Sequence, residues 1–263
     1  MFKTMPWGLI LCLMSSAACH AQSLDYHFHW GYIPLADLSM TLQTRQLAGD
    51  ATEREIRFEG STIGAVGKFL EYDGLARSVA RPNGLMYSMS GTDNGFDEHR
   101  QIYFPTNAAP QVISFRDDET QAPSQQQLLQ VGPAIDPLAL IQSLMASPLG
   151  SGCNGEFRVF DGKRLMQISA QAMGMEAIEA DRSWAWAGQA LRCDMQISSF
   201  EMATEVTHTE AADLKAAWLQ RNPEVRTIWL AEVNVPGAGP QIRPVRFSIP
   251  GPIGRVKGRL VAP

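Results

Sequence analysis

The sequence is poor in the residues that carry most covalent and metal chemistry. Its 263 residues include only 4 cysteines and 5 histidines. It has no C-x-x-C pair, so the usual redox motif is missing. It has no G-x-S-x-G elbow for a serine nucleophile. Gly237-Ala238-Gly239 and Gly251-Pro252-Ile253-Gly254 lack the Lys-Ser/Thr ending and following helix of a phosphate loop. Basic residues number 22 against 27 acidic ones, and a net charge of −5 gives nucleic-acid binding no overall electrostatic support. Past the first segment, no apolar run approaches the length of a membrane-spanning helix. A chain with 45% hydrophobic and 19% charged residues is globular rather than disordered.

The N-terminal segment, residues 1–21, reads as an address. One charge, Lys3, precedes an apolar run over residues 7–18 and then small residues. This pattern predicts a signal peptide cleaved after Ala21, with the mature chain in the periplasm. The alternative is a lipoprotein anchored at Cys19, although Ser16 stands where such sites usually carry Leu. Outside this segment only Cys153 and Cys193 remain. In an oxidising compartment they are expected to form one disulfide, contributing roughly 4 kcal/mol in the chain-entropy model. Two buried thiols or a redox pair are the alternatives.

Most of the remainder alternates. Tyr26, Phe28, Trp30 and Tyr32 share one parity, which continues past Pro34 as Ala36, Leu38, Met40 and Leu42. Period two marks strand, and Gly31 and Pro34 are expected to bend or break it. Further strands are read around Ile56 and Phe58, after the Pro82-Asn83-Gly84 turn, and after the Asp93-Asn94-Gly95 turn. Others are read at 112–115, and as a long pair over 156–172 and 183–200. The remaining apolar faces lie around Trp229, Phe247 and Val256. In the second member of the long pair, Cys193 points inward.

Two helices are expected. At 136–146, Asp136 serves as N-cap and Pro137 opens the first turn. At 210–221, Asn222-Pro223 ends the periodic pattern. The Gln-rich stretch 117–130, with Pro123, reads as a surface loop. The fold class is therefore mainly β, a curved antiparallel sheet forming an open or closed barrel with two packing helices, in a single domain over 22–263.

Asp136-Pro137-Leu138-Ala139-Leu140 and Val159-Phe160-Asp161-Gly162-Lys163-Arg164 resemble two motifs of an exported Gram-negative family, the domain of unknown function 3108 family. Its members read D-P-L-S-L and then F-D-G-[KR]-R. Some carry a Cys before the second motif and another later, as Cys153 and Cys193 stand here. Ala139 replaces the usual Ser, and Leu165 replaces a common second Arg. The resemblance implies export and a β-barrel-like fold. It implies no activity, and so transfers no catalytic residue.

No catalytic set, metal or cofactor emerges. His27 and His29, with Asp25, could in principle share a metal. The preferred reading is a polar outer face. Asp117-Asp118-Glu119 lacks the alternating spacing of a calcium loop and reads as a turn. Asp136, Pro137, Phe160, Asp161 and Gly162 read as structural motif residues.

Two features stand above this background. Tyr26, Phe28, Trp30 and Tyr32, with Trp184 and Trp186, could line an apolar cavity; the alternative is a filled core. Arg255, Lys257 and Arg259 alternate on one face that could meet anionic lipid or an acidic partner. The expected role is non-enzymatic binding in the cell envelope, of a lipid or other apolar ligand. The alternatives are a scaffold docking an envelope protein, or a hydrolase with an unrecognised site drawing on Asp161, His99 and His208.

Overall fold

The computed structural model describes residues 22–47, 51–64, 66–68, 71–93, 95–118, 121–146, 148–149, 153–202, 225–251 and 254–263. The expected leader, Cys19 and the expected helix at 210–221 lie outside them.

The chain is built from hairpins. Strands β1 (Gln22–Trp30), β2 (Ile33–Gln46), β3 (Thr52–Thr62), β4 (Tyr72–Arg81), β5 (Gly84–Asp93), β6 (Phe96–Pro105) and β7 (Gln111–Asp117) follow one another as antiparallel neighbours. Two helices follow, α1 (Gln125–Val131) and α2 (Pro137–Ala146). The chain then returns through β8 (Gly155–Phe160), β9 (Arg164–Ile178), β10 (Gly188–Met202), β11 (Arg226–Val235), β12 (Gly239–Gly251) and β13 (Gly254–Leu260). All thirteen strands form one sheet in the order β7-β6-β5-β4-β3-β2-β1-β13-β12-β11-β10-β9-β8. Pairing β1 with β13 joins the two runs, with Tyr26 opposite Leu260.

The sheet is curved but not closed, since β7 and β8 are its ends. Its curvature brings those ends together. Phe104 of β6 meets Phe160 of β8 edge-on, with ring centroids 6.4 Å apart. Helix α2 lies across the concavity, touching β3, β4, β8 and β12. Its Leu138, Leu140 and Leu144 join Met40, Ile56, Ile102 and Phe160 in one continuous core. Each such side chain contributes about 1.5–3 kcal/mol on burial. The Cys153–Cys193 disulfide, with Cα atoms 5.7 Å apart, ties the chain before β8 to β10 across β9.

Several expectations are corrected. The break expected at Gly31 is a full reversal: Gly31, at φ 58°, and Tyr32 form a two-residue turn that makes β1 and β2 a hairpin, and Pro34 lies within β2. Tyr32 therefore stands 87% exposed at the turn, beneath Arg182, instead of on the inner face. The stretch 156–172 is itself a hairpin, broken at Asp161-Gly162-Lys163. The partner of β9 begins only at Gly188, so 183–187 is not strand. A strand at 72–81 was not expected. The Gln-rich stretch holds α1, whose start is fixed by a capping box: Ser124 accepts the Gln127 N–H, and the Gln127 side chain accepts the Ser124 N–H.

Candidate functional site

Hairpin topology assigns the turns to two rims. The β2–β3, β4–β5, β6–β7 and β11–β12 turns lie at one, called here the upper rim. The β1–β2, β5–β6, β8–β9 and β12–β13 turns lie at the lower.

The two motif segments meet at the seam between the sheet's ends. Ile135, just before the first motif, donates its N–H to the Arg158 carbonyl and accepts the Phe160 N–H, both at 2.9 Å. Asp136 is fully buried and caps α2: one oxygen accepts the Leu138 and Ala139 N–H groups at 2.9 and 2.8 Å, and the other accepts the Ser78 hydroxyl at 2.7 Å. Burial pushes its carboxyl up to about 6. Asp161 shapes the β8–β9 turn. It accepts the Lys163 and Arg164 N–H groups and pairs with the Arg164 guanidinium at 2.9 Å. Burial alone would raise its carboxyl, but Arg164 and Arg100 outweigh burial and hold it below the usual range. Gly162, at φ 98°, takes a backbone conformation that side-chain-bearing residues rarely adopt, and a Cβ there would also crowd Ile102 Cδ1 at 2.6 Å.

An ionic cluster fastens this turn to the opposite end of the sheet. Arg100 of β6, 2% exposed, donates to the Asp161 carbonyl at 3.2 Å and to Glu98 at 3.0 Å. Lys163 pairs with Glu98 at 3.1 Å and with Asp117 of β7. Three cations and three carboxylates thus form one cluster, in which the Arg100–Asp161, Lys163–Glu98 and Lys163–Asp117 pairs span the gap that backbone pairing leaves open.

At the upper rim the same seam opens into a groove of about 530 Å³. Leu85, Phe104, Ala134, Ile135 and Phe157 line it, and Arg81 and Arg158 stand among the lining residues. At the other end of α2 a second cavity of about 350 Å³ is lined by Gln22, Leu42, Thr44, Arg54, Gln142 and Arg243, among others. Sequence reasoning found neither, because each draws on strands far apart in the chain.

The predicted aromatic residues do not gather round a cavity. Tyr26 is core, its hydroxyl donating to the Pro244 carbonyl at 2.9 Å and its ring edge-on to Phe247. Phe28 stacks on Phe247 at 5.9 Å, Trp30 is half-buried, and Tyr32 is outside. The predicted basic residues do share an outward face, but not as an open strip. Segment 179–187 folds over it, bridging Ala185 to Val261, and Asp181 pairs with the now-buried Arg259. Arg255 donates to Ser248 and to the Val225 carbonyl, and Lys257 is half-buried between them in sequence.

The two strand histidines are partly covered instead of fully solvated. Trp184 meets the His27 ring at 4.7 Å and stacks on His29 at 5.6 Å. His27 also pairs with Asp37 at 2.5 Å. Burial, with Arg259 adding to it, lowers the His29 pKa. Among the described residues no three His, Cys, Asp or Glu side chains are grouped to hold a metal. His99 bonds Ser114 at 3.0 Å on the outer face, well apart in role from the inward Asp161. His208 is outside the described residues. No helix among the described residues is long and apolar enough to cross a membrane.

The sequence profile of the family described as protein of unknown function (DUF3108) matches residues 25–261. No curated protein matches the chain. Among solved structures, the chain is similar to a β-barrel-like protein of domain of unknown function DUF1849 from Brucella abortus, at 8% identity and a TM-score of 0.47, over 92% of this chain and 95% of that one.

Proposed function

This chain belongs to the DUF3108 family of proteins of unknown function, and from that premise we propose that it is an exported, non-enzymatic binding protein of the cell envelope whose ligand is an amphiphile held in the upper-rim seam groove. The observation that carries this reading is the groove itself, about 530 Å³ of mostly apolar wall at one rim of the curved, filled sheet. Because α2 fills the interior, an apolar tail is accommodated at the rim and not within the sheet. Arg158, which donates to the Val131 carbonyl, favours a polar or acidic head group, while Arg81 is already paired with Glu53. Export rests on the leader sequence and on a disulfide that an oxidising compartment sustains. A role without catalysis fits the use of both motif aspartates as scaffold, one capping α2 and one shaping a turn.

The test is mass spectrometry of an organic extract from protein purified out of the periplasm. A fatty acid or phospholipid should accompany the wild type and be lost from Ala134→Asp, which places a charge on the groove wall. Extracts free of lipid, or equal from both proteins, contradict the reading. One feature favours docking of an envelope protein instead: β7 ends the sheet and leaves Ile113 exposed. Crosslinking from position 113 in intact cells should then capture one dominant partner.

A further inference from the structure

The smaller upper-rim cavity contains a buried charge that the fold does not neutralise. It forms where β13 stops short. The register pairs Arg246 with Arg259, so β13 ends at Leu260 while residues 239–244 of β12 run on without it. Arg243 fills that gap between β12 and the start of β1. Its Nη2 donates to Gln22 Oε1 at 2.5 Å, and its Nη1 donates to the Ile242 carbonyl at 2.8 Å. The residue is only 7% exposed, and its Nε is buried with no hydrogen-bond partner.

Among the described residues no carboxylate pairs with Arg243. Glu55, the one carboxylate on the cavity wall, is engaged by Arg77 through two bonds of 2.7 and 2.6 Å. Arg54, on the same wall, is exposed and, among the described residues, pairs with no carboxylate. Removing a guanidinium from water without a counter-charge is unfavourable, and native folds pair such groups or leave them for a ligand. Burial lowers the Arg243 pKa and no carboxylate opposes that shift, in keeping with the geometry.

We infer that this cavity binds an oxyanion, a phosphate or carboxylate group, with Arg243 as its buried counter-charge and Arg54 as a second, outer arm. A guanidinium fork suits two oxygens of such a group. Gln22 uses its carbonyl oxygen on Arg243, which leaves its amide N–H donors for the ligand, and Thr44 and Gln142 add further donors to the wall. The volume of about 350 Å³ and the polar wall fit a head group or a small acid, not a long apolar chain. This inference stands apart from the amphiphile reading, which concerns the other cavity.

The test uses the full mature chain, stripped of ligand by refolding. Inorganic phosphate is titrated by calorimetry. Flotation with phosphatidylcholine vesicles, with and without phosphatidic acid, distinguishes a lipid head group from a free anion. Saturable binding to either source supports the site. It should fall by about tenfold or more in Arg243→Gln, the loss of one charge-assisted contact. It should fall less in Arg54→Gln, and phosphate binding alone should stay unchanged in Ala134→Asp, which lies on the groove wall and not on this cavity. Arg54→Gln keeps the test decisive if Arg243→Gln fails to fold. No saturable binding to either source, or equal binding by folded Arg243→Gln, overturns the inference. Loss of lipid from Ala134→Asp with phosphate binding intact separates the two sites.

Discussion

Arg100 and Arg243 are both guanidiniums buried in the same curved sheet, one toward each rim. Both leave Nε without a partner. They differ in what faces them. Arg100 meets the Glu98 carboxylate on its own strand and, across the seam, the Asp161 carboxylate and carbonyl. Among the described residues Arg243 meets an amide and a main-chain carbonyl only. The difference separates a fastening from a site. At the lower rim the charges are balanced internally and hold the sheet's ends together. At the upper rim a charge is left over beside a cavity, and the groove and cavity both lie there. The family motifs belong to the seam. Their aspartates cap a helix and shape a turn.

The comparison can be broken or sharpened by substitution, most strongly at the seam. Arg100→Met should cost about 3–5 kcal/mol in urea denaturation, because it leaves paired carboxylates buried without their cation. A loss below about 1 kcal/mol, the range of exposed pairs, removes the fastening role. Next in size is the staple beside it: Cys153→Ala with Cys193→Ala should cost about 2–5 kcal/mol. Alkylation of both thiols in unreduced native protein contradicts the bond. Asp136→Ala should cost about 1 kcal/mol through loss of the α2 cap, read by the same denaturation, with ligand binding at the upper rim unaffected.

A further effect is in pH dependence. Asp136 binds its proton more tightly folded than unfolded, so its contribution is fully present below pH 3.8 and is lost as pH rises through about 6. Asp161 runs the other way. Its folded pKa is lowered, so its contribution is present above the ordinary carboxylate range and is lost as pH falls through the lowered value. Asp136→Asn should therefore remove a decline in stability between about pH 4 and 6 while leaving the acid limb. An unchanged profile contradicts the assignment.

Much of the sheet was legible. The Pro82-Asn83-Gly84 and Asp93-Asn94-Gly95 turns, the Asp136-Pro137 helix start and the inward Cys193 all follow from local chemistry. The first hairpin was not legible, and its register says why. Phe28 pairs with Ala36 and Tyr26 with Leu38, so inward residues carry even numbers on both strands. A bulge at Phe28/His29 produces that register, and the alternation reads straight through the turn as one long strand. Helix α1 carried a readable signal in Ser124 and Gln127, masked by the surrounding Gln run and Pro123. The candidate site was the least legible part. Nothing local distinguishes Arg243 from any other arginine; its burial depends on where β13 ends, a tertiary fact.

The most direct measurement is urea denaturation of Arg243→Met beside Arg100→Met, both stripped of ligand. If the upper rim holds an unneutralised charge, Arg243→Met is as stable as the wild type or more so, while Arg100→Met is several kcal/mol weaker. Equal losses from the two substitutions mean that Arg243 is a structural group like Arg100, and the division between a fastened rim and a binding rim fails.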